Sequence, residues 1–228
     1  MVTFQGNREE TVELRKQKVY KRVFEMACDG LLRSDAEGQF RKASIPFFSR
    51  DQGFSANIPF FDEVITLEVP GFTFRSSKTT NVNLVTKIML LHHILAASGE
   101  ALKPVTERTT YEDIPGCRHY QPVFEKRALK PLQTAFGHDR RLFLEAGLAM
   151  GGAEEEFGDA SFTVRAFPMV PITIILWEGD DEFPPSLRML FDPSVPGYLP
   201  LEDIVVLSKL VGTRLIKAAR LAAAEDDG

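Results

Sequence analysis

Apolar positions along this chain switch between helical and strand spacing, and the switches mark out its elements. Across residues 8–32, Val12, Val19, Val23, Ala27 and Leu31 recur at helical spacing while Lys, Arg and Glu fill the opposite face. Gly30 and the polar stretch 34–38 predict the end of that helix. Mixed alternation with β-branched residues predicts strands over 40–48 and 62–69, a turn at Pro70-Gly71, and a short third strand at 72–75. The polar stretch 49–57, which contains Gly53, reads as a loop.

The segment 81–98 has no internal Pro or Gly and is followed by Gly99, which makes it the clearest helix. Residues 123–136 and 140–150 read as two short helices split by Gly137. Strands are expected at 161–166 and 172–177, both bounded by Pro or Gly, with a partner at 188–191. A last helix is expected from Tyr198 to about Ala223. Glu202 and Asp203 lie in its first turn, and Lys217 and Arg220 lie toward its end, as the helix dipole favours.

Helices and strands come in mixed order, without the regular alternation of a doubly wound sheet. The expected fold is α+β: a single domain with a mostly antiparallel sheet packed against several helices. Within it, 1–35 is an N-terminal helical segment, 36–221 the domain proper and 222–228 a disordered acidic tail.

Composition narrows the class. At 228 residues, 44% hydrophobic and 26% charged, the chain can build one large core. Its 18 Phe against one Trp favour a dry interior without polar handles. A net charge of -5 argues against a nucleic-acid backbone as partner. No run of 18 apolar residues predicts a membrane span, and the charged N-terminal stretch lacks the apolar core of a signal peptide. A cytoplasmic protein is expected. The two cysteines, Cys28 and Cys117, form no Cys-x-x-Cys motif, and a reducing compartment disfavours a disulfide between them.

Three places carry candidate chemistry. On the helix at 81–98, 100° steps put His92 in the middle of an apolar face with Val85, Ile88, Met89, Leu95 and Ala96. His93 falls at the polar edge and is expected to be exposed. A histidine on an apolar face is either a core residue bonded to a backbone carbonyl or a ligand for a metal or tetrapyrrole. Second, Cys117 and His119 follow the turn Pro115-Gly116. On strand-like backbone they share a face, which would suit a shared metal, though zinc needs three or four ligands. A Cys–His nucleophile pair and an incidental arrangement are the other readings. Third, Glu178, Asp180, Asp181 and Glu182 crowd four carboxylates into five positions after an apolar strand. They are cation ligands or acid–base groups, or else a solvated hairpin tip stiffened by Pro184 and Pro185.

The stretch from Pro171 through Trp177-Glu178-Gly179-Asp180-Asp181-Glu182-Phe183-Pro184-Pro185 to Leu190-Phe191-Asp192 resembles the domain-of-unknown-function 3786 family. So do Leu90-Leu91-His92-His93, the Pro115-Gly116 turn, and Tyr198-Leu199-Pro200 followed by Glu202-Asp203. The resemblance spans roughly residues 64–215. It implies an origin among anaerobic bacteria and archaea. Some members of that family carry an added iron–sulfur domain of a type also seen in corrinoid proteins; the cysteines of that domain are absent here.

The leading expectation is a binding protein for a small, largely apolar cofactor, a corrinoid or haem, held between the central helix and the sheet. His92 would be the axial ligand, with His119 nearby and Trp177 as a wall. The rivals are an enzyme using the acidic loop, and an accessory protein that docks a protein partner through the N-terminal helix or the segment around Pro184.

Overall fold

The structure is a computed structural model that describes residues 3–226, with side chains described from Arg15 to Ala222 except Lys16. Two antiparallel sheets meet side by side, and the helices close over them. The first sheet is a meander of β1 (Phe47–Arg50), β2 (Gly53–Phe60), β3 (Glu63–Val69) and β4 (Thr73–Ser76). The second has the order β5-β9-β8-β7-β6, formed by β5 (Thr109–Thr110), β6 (Ala153–Glu155), β7 (Ala160–Phe167), β8 (Val170–Trp177) and β9 (Ser186–Phe191). The sheets join where the Phe61 N–H donates to the Ala166 carbonyl at 3.2 Å and Phe60 packs on Phe167 at 5.1 Å. This is the α+β architecture that the mixed order of elements implies.

Alternation explains which face of the second sheet is covered. Phe162, Ile174 and Met189 share one register, and Val164, Ile172 and Phe191 the next. All six are buried and point to the same side. Helix α6 (Arg140–Ala149) lies against them at Gly147, whose missing side chain lets the helix approach the Phe162 ring. Helix α7 (Leu201–Asp226) packs across α6 and brings Arg214 over the rings of Phe60 and Phe61, at 5.0 and 4.6 Å. Arg214 also pairs with the buried Glu63 and with Asp62 at 3.4 Å. The last helix therefore ties the two sheets together.

Two N-terminal helices, α1 (Thr3–Arg33) and α2 (Ala36–Lys42), precede the first sheet. Ala27, Cys28 and Leu31 of α1 are buried and join the common core, while Val19 is exposed. Val12 lies outside the residues whose side chains are described. Helix α3 (Leu84–Ala96) starts where the Asn83 side chain accepts from the Thr86 N–H at 2.9 Å.

Several elements differ from the sequence reading. Phe40 lies in α2, not in a strand, because Asp35 caps a helix there through the Gly38 N–H. The stretch 49–57, read as a loop, forms the β1–β2 hairpin and the first half of β2. The acidic stretch expected as a disordered tail continues α7 as far as Asp226; residues 227–228 lie outside the described residues.

Between residues 121 and 136 the chain runs as one helix of three pieces. An α segment, α4 (Gln121–Phe124), passes into a π segment at Glu125–Leu129 and then into α5 (Lys130–Phe136). A π turn is rare and carries one surplus residue per turn.

Candidate functional site

The two adjacent histidines of α3 exchange the places expected for them. His93 is fully buried, stacked on Phe167 at 4.0 Å, and donates from Nδ1 to the Tyr198 carbonyl at 3.2 Å. His92 keeps 24% of its side chain exposed. The reason is that α3 is buried nearly all round: Ile88, Met89, Leu90, Leu91 and Ile94 cover several of its faces. An apolar stripe on such a helix does not single out the inward direction.

His92 has acquired a partner that no local pattern reveals. Its Nδ1 lies 2.5 Å from Oδ2 of Asp203, in the first turn of α7, and the carboxylate keeps 14% exposure. With Nδ1–H donated to the carboxylate, the lone pair is on Nε2. Among the described residues Nε2 has no protein partner, and it is not buried. The pair therefore presents one oriented imidazole nitrogen at the surface where α3 meets the start of α7. A carboxylate at that place also benefits from the positive end of the α7 dipole.

The other expected site residues do not gather around it. Trp177 ends β8, seven residues along the strand from Val170 beside the turn where His93 stacks, roughly 23 Å at about 3.3 Å per residue. It is half-buried and sits under the Arg188 guanidinium at 5.5 Å. Cys117 and His119 do not share a face: a 3₁₀ turn at Arg118–Tyr120 replaces the expected extended backbone, so the thiol is buried and the imidazole exposed. Burial pushes the Cys117 pKa up, against a smaller lowering by the neighbouring Tyr111 side chain. Cys28 and Cys117 are both free.

The acidic loop is held by its own backbone rather than gathered around a cation. Asp180 accepts from the Glu182 and Phe183 N–H groups at 2.9 and 2.7 Å, and these bonds hold its carboxyl below the usual range. Glu178 accepts from the Arg140 N–H at 3.1 Å at the start of α6. Asp181 and Glu182 are exposed. The carboxylates thus face solvent, main-chain donors or, for Glu178, the Arg140 guanidinium at 3.8 Å, and the geometry lends no support to an acid–base cleft here. Among the described residues no group of three or more His, Cys, Asp or Glu is placed to hold a metal ion.

A cleft that the sequence reading missed lies along the β9 edge of the second sheet. It has a volume of about 490 Å³ and runs between the helix at 121–133 and the edge of β9. Tyr111 and Phe124, stacked at 4.3 Å with planes 4° apart, close one end. Glu112, Asp113 and Glu125 stand near that end, while Lys130 and Gln133 lie farther along the helix. The Gln121 side chain donates to Glu125 at 3.1 Å, but its own Oε1 is buried without a partner. A second cleft of about 550 Å³ opens between the end of α1 and the Pro70 turn, with Leu31, Phe54 and Val69 in its walls. Neither cleft is lined by α3 or Trp177.

The family described as Domain of unknown function (DUF3786) matches residues 40–214. The chain belongs to that family. The DUF3786 match takes in both sheets, the His92–Asp203 pair and the β9-edge cleft; all of α1 lies outside it. No curated protein and no solved structure matches the chain. Among the described residues no helix is long and apolar enough to cross a membrane.

Proposed function

We propose that this DUF3786 protein binds a metal-centred cofactor of the haem or corrinoid class through His92. One observation carries the reading: Asp203 holds the His92 ring by Nδ1 and leaves Nε2 outward and unpartnered. Imidazoles that ligate metals nearly always donate their other N–H to a carboxylate or carbonyl in this way. A lone protein ligand cannot hold a bare ion, since structural metals need three or four donors. One imidazole suffices when a macrocycle already fills the equatorial positions.

The donor fits such a group, but an enclosed chamber between α3 and the sheets does not, because Leu90, Leu91 and Ile94 are fully buried in the core. The cofactor would dock on the outer surface where α3 meets α7, and Trp177 and His119 would take no part. A cytoplasmic setting suits the reading, since both cysteines are free thiols, as a reducing compartment keeps them.

The test is an absorption spectrum of the protein with haem or cobalamin, recorded without oxygen. The Soret or corrinoid band should shift on mixing, and the shift should be absent in His92→Ala. Asp203→Asn should weaken binding by about 10- to 100-fold. A wild-type mixture whose band stays where the free cofactor puts it overturns the proposal.

A further inference from the structure

The β9-edge cleft is independent of His92, and its chemistry is that of a missing strand. β9 has six residues, Ser186–Phe191, all paired with β8 on one side. On its other side β5 pairs only with Phe191 and Leu190, and the chain then turns away at Tyr111. Residues 186–189 are left as an open edge, roughly 13 Å long at about 3.3 Å per residue. Among the described residues no main-chain group outside β8 bonds to them. In an antiparallel ladder every second residue of such an edge points its N–H and C=O outward.

Open edges are usually covered or charged, because they recruit other strands. This one is instead bordered by a walled groove. The helix at 121–133 forms the far wall, and Leu187 and Met189 are buried toward it. The π turn at Glu125–Leu129 shapes that wall. The groove also has poles. Glu112, Asp113 and Glu125 surround the end next to β5, together with the orphaned Gln121 Oε1. Lys130 and Gln133 lie toward the Ser186 end.

We infer that this groove binds an extended peptide segment of a partner protein, which adds as a strand antiparallel to β9 in line with β5. Antiparallel addition puts the first residue of the segment opposite Met189, at the acidic pole, and its fifth residue, on the same face of the added strand, opposite Pro185 just before β9. Charge therefore selects a Lys or Arg at the N-terminal end of the segment and an Asp or Glu at the C-terminal end. The cationic head satisfies the buried Gln121 acceptor. The main chain supplies the affinity, and the two poles set direction and register.

The probe is the peptide acetyl-Lys-Val-Thr-Val-Glu-amide, titrated into the full chain carrying ¹⁵N. Saturable amide shifts confined to 110–113, 121–133 and 186–189 are expected, with slowed hydrogen exchange at the outward amides of 186–189. Exchanging the terminal Lys and Glu should weaken binding about tenfold, and N-methylation of alternate residues should abolish it. The Glu112→Lys/Glu125→Lys double variant should reverse the preference between the two peptides. Absence of binding at millimolar peptide, equal binding of the N-methylated peptide, or equal binding of free lysine overturns the inference. So does a dimer of the free protein that alone protects 186–189, which would make a second copy the occupant.

Discussion

His93 lies almost flat on Phe167, the ring planes 13° apart, with its Nδ1–H given to the Tyr198 carbonyl and its Nε2 buried without a partner. A second proton on this ring would have no acceptor in the core. Burial accordingly lowers its pKa from 6.5 to about 4, against a smaller upward effect of the Tyr198 hydrogen bond. The unfolded chain takes up the proton first as pH falls, so acidification favours unfolding across the window from about 6.5 down to about 4. The loss across that window is roughly 3 kcal/mol. Urea titrations at a series of pH values should show it in the wild type, and His93→Phe should lack that part of the slope.

The Glu63–Arg214 pair gives a prediction of a different kind. Glu63 is buried and bonded to both Ser76 and Arg214. Arg214→Met leaves that carboxylate without its counter-charge and should cost about 3 kcal/mol in urea unfolding. Glu63→Leu in the same chain should recover much of the loss, since no unpaired charge then remains.

Two helical glycines should answer Ala in opposite senses. A Cβ at Gly147 would come within 3.0 Å of the Phe162 ring, held between α6 and β7. Gly147→Ala should therefore destabilise by about 2 kcal/mol through overpacking. At Gly212 in α7 the nearest atoms stand 3.5 Å away, ordinary contact distance. Gly212→Ala should stabilise by up to about 1 kcal/mol through helix propensity. Thermal melts of the two variants should move apart on either side of the wild type.

Neither thiol should react in the native protein. Burial raises the Cys28 pKa to about 11 and shifts Cys117 upward as well. A colourless-to-yellow thiol reagent at pH 8 should label both only after urea is added. Rapid labelling of either in the folded chain would contradict their placement.

What was legible in the sequence follows the range of each signal. The α3 helix is readable because its cap, Asn83, is local, although it ends at Ala96 with Ala97 as its C-cap, short of Gly99; β7 and β8 are readable because Pro and Gly bracket their apolar runs. β2 does alternate, with Phe54, Ala56, Ile58 and Phe60 on one face, but Ser55, Asn57 and Gly53 gave the stretch the look of a loop. Periodicity misplaces the two histidines because it loses its meaning on a helix covered on most sides. Asp203 lies 111 residues from His92, and no local rule joins them. The β9 edge was hidden for the same reason: it depends on where β5 stops pairing, which only the assembled sheet decides.

The π turn at Glu125–Leu129 has a consequence for length variation. It behaves as a single inserted residue in an otherwise regular helix. A chain lacking one residue there would close into continuous α-helix, and everything before it would rotate by about 100° relative to Lys130–Phe136. Phe124 would then swing off Tyr111, and Gln121 would leave the groove. The recess beside β9 is thus set by a one-residue surplus, and a deletion at that point would seal it while leaving both sheets in place.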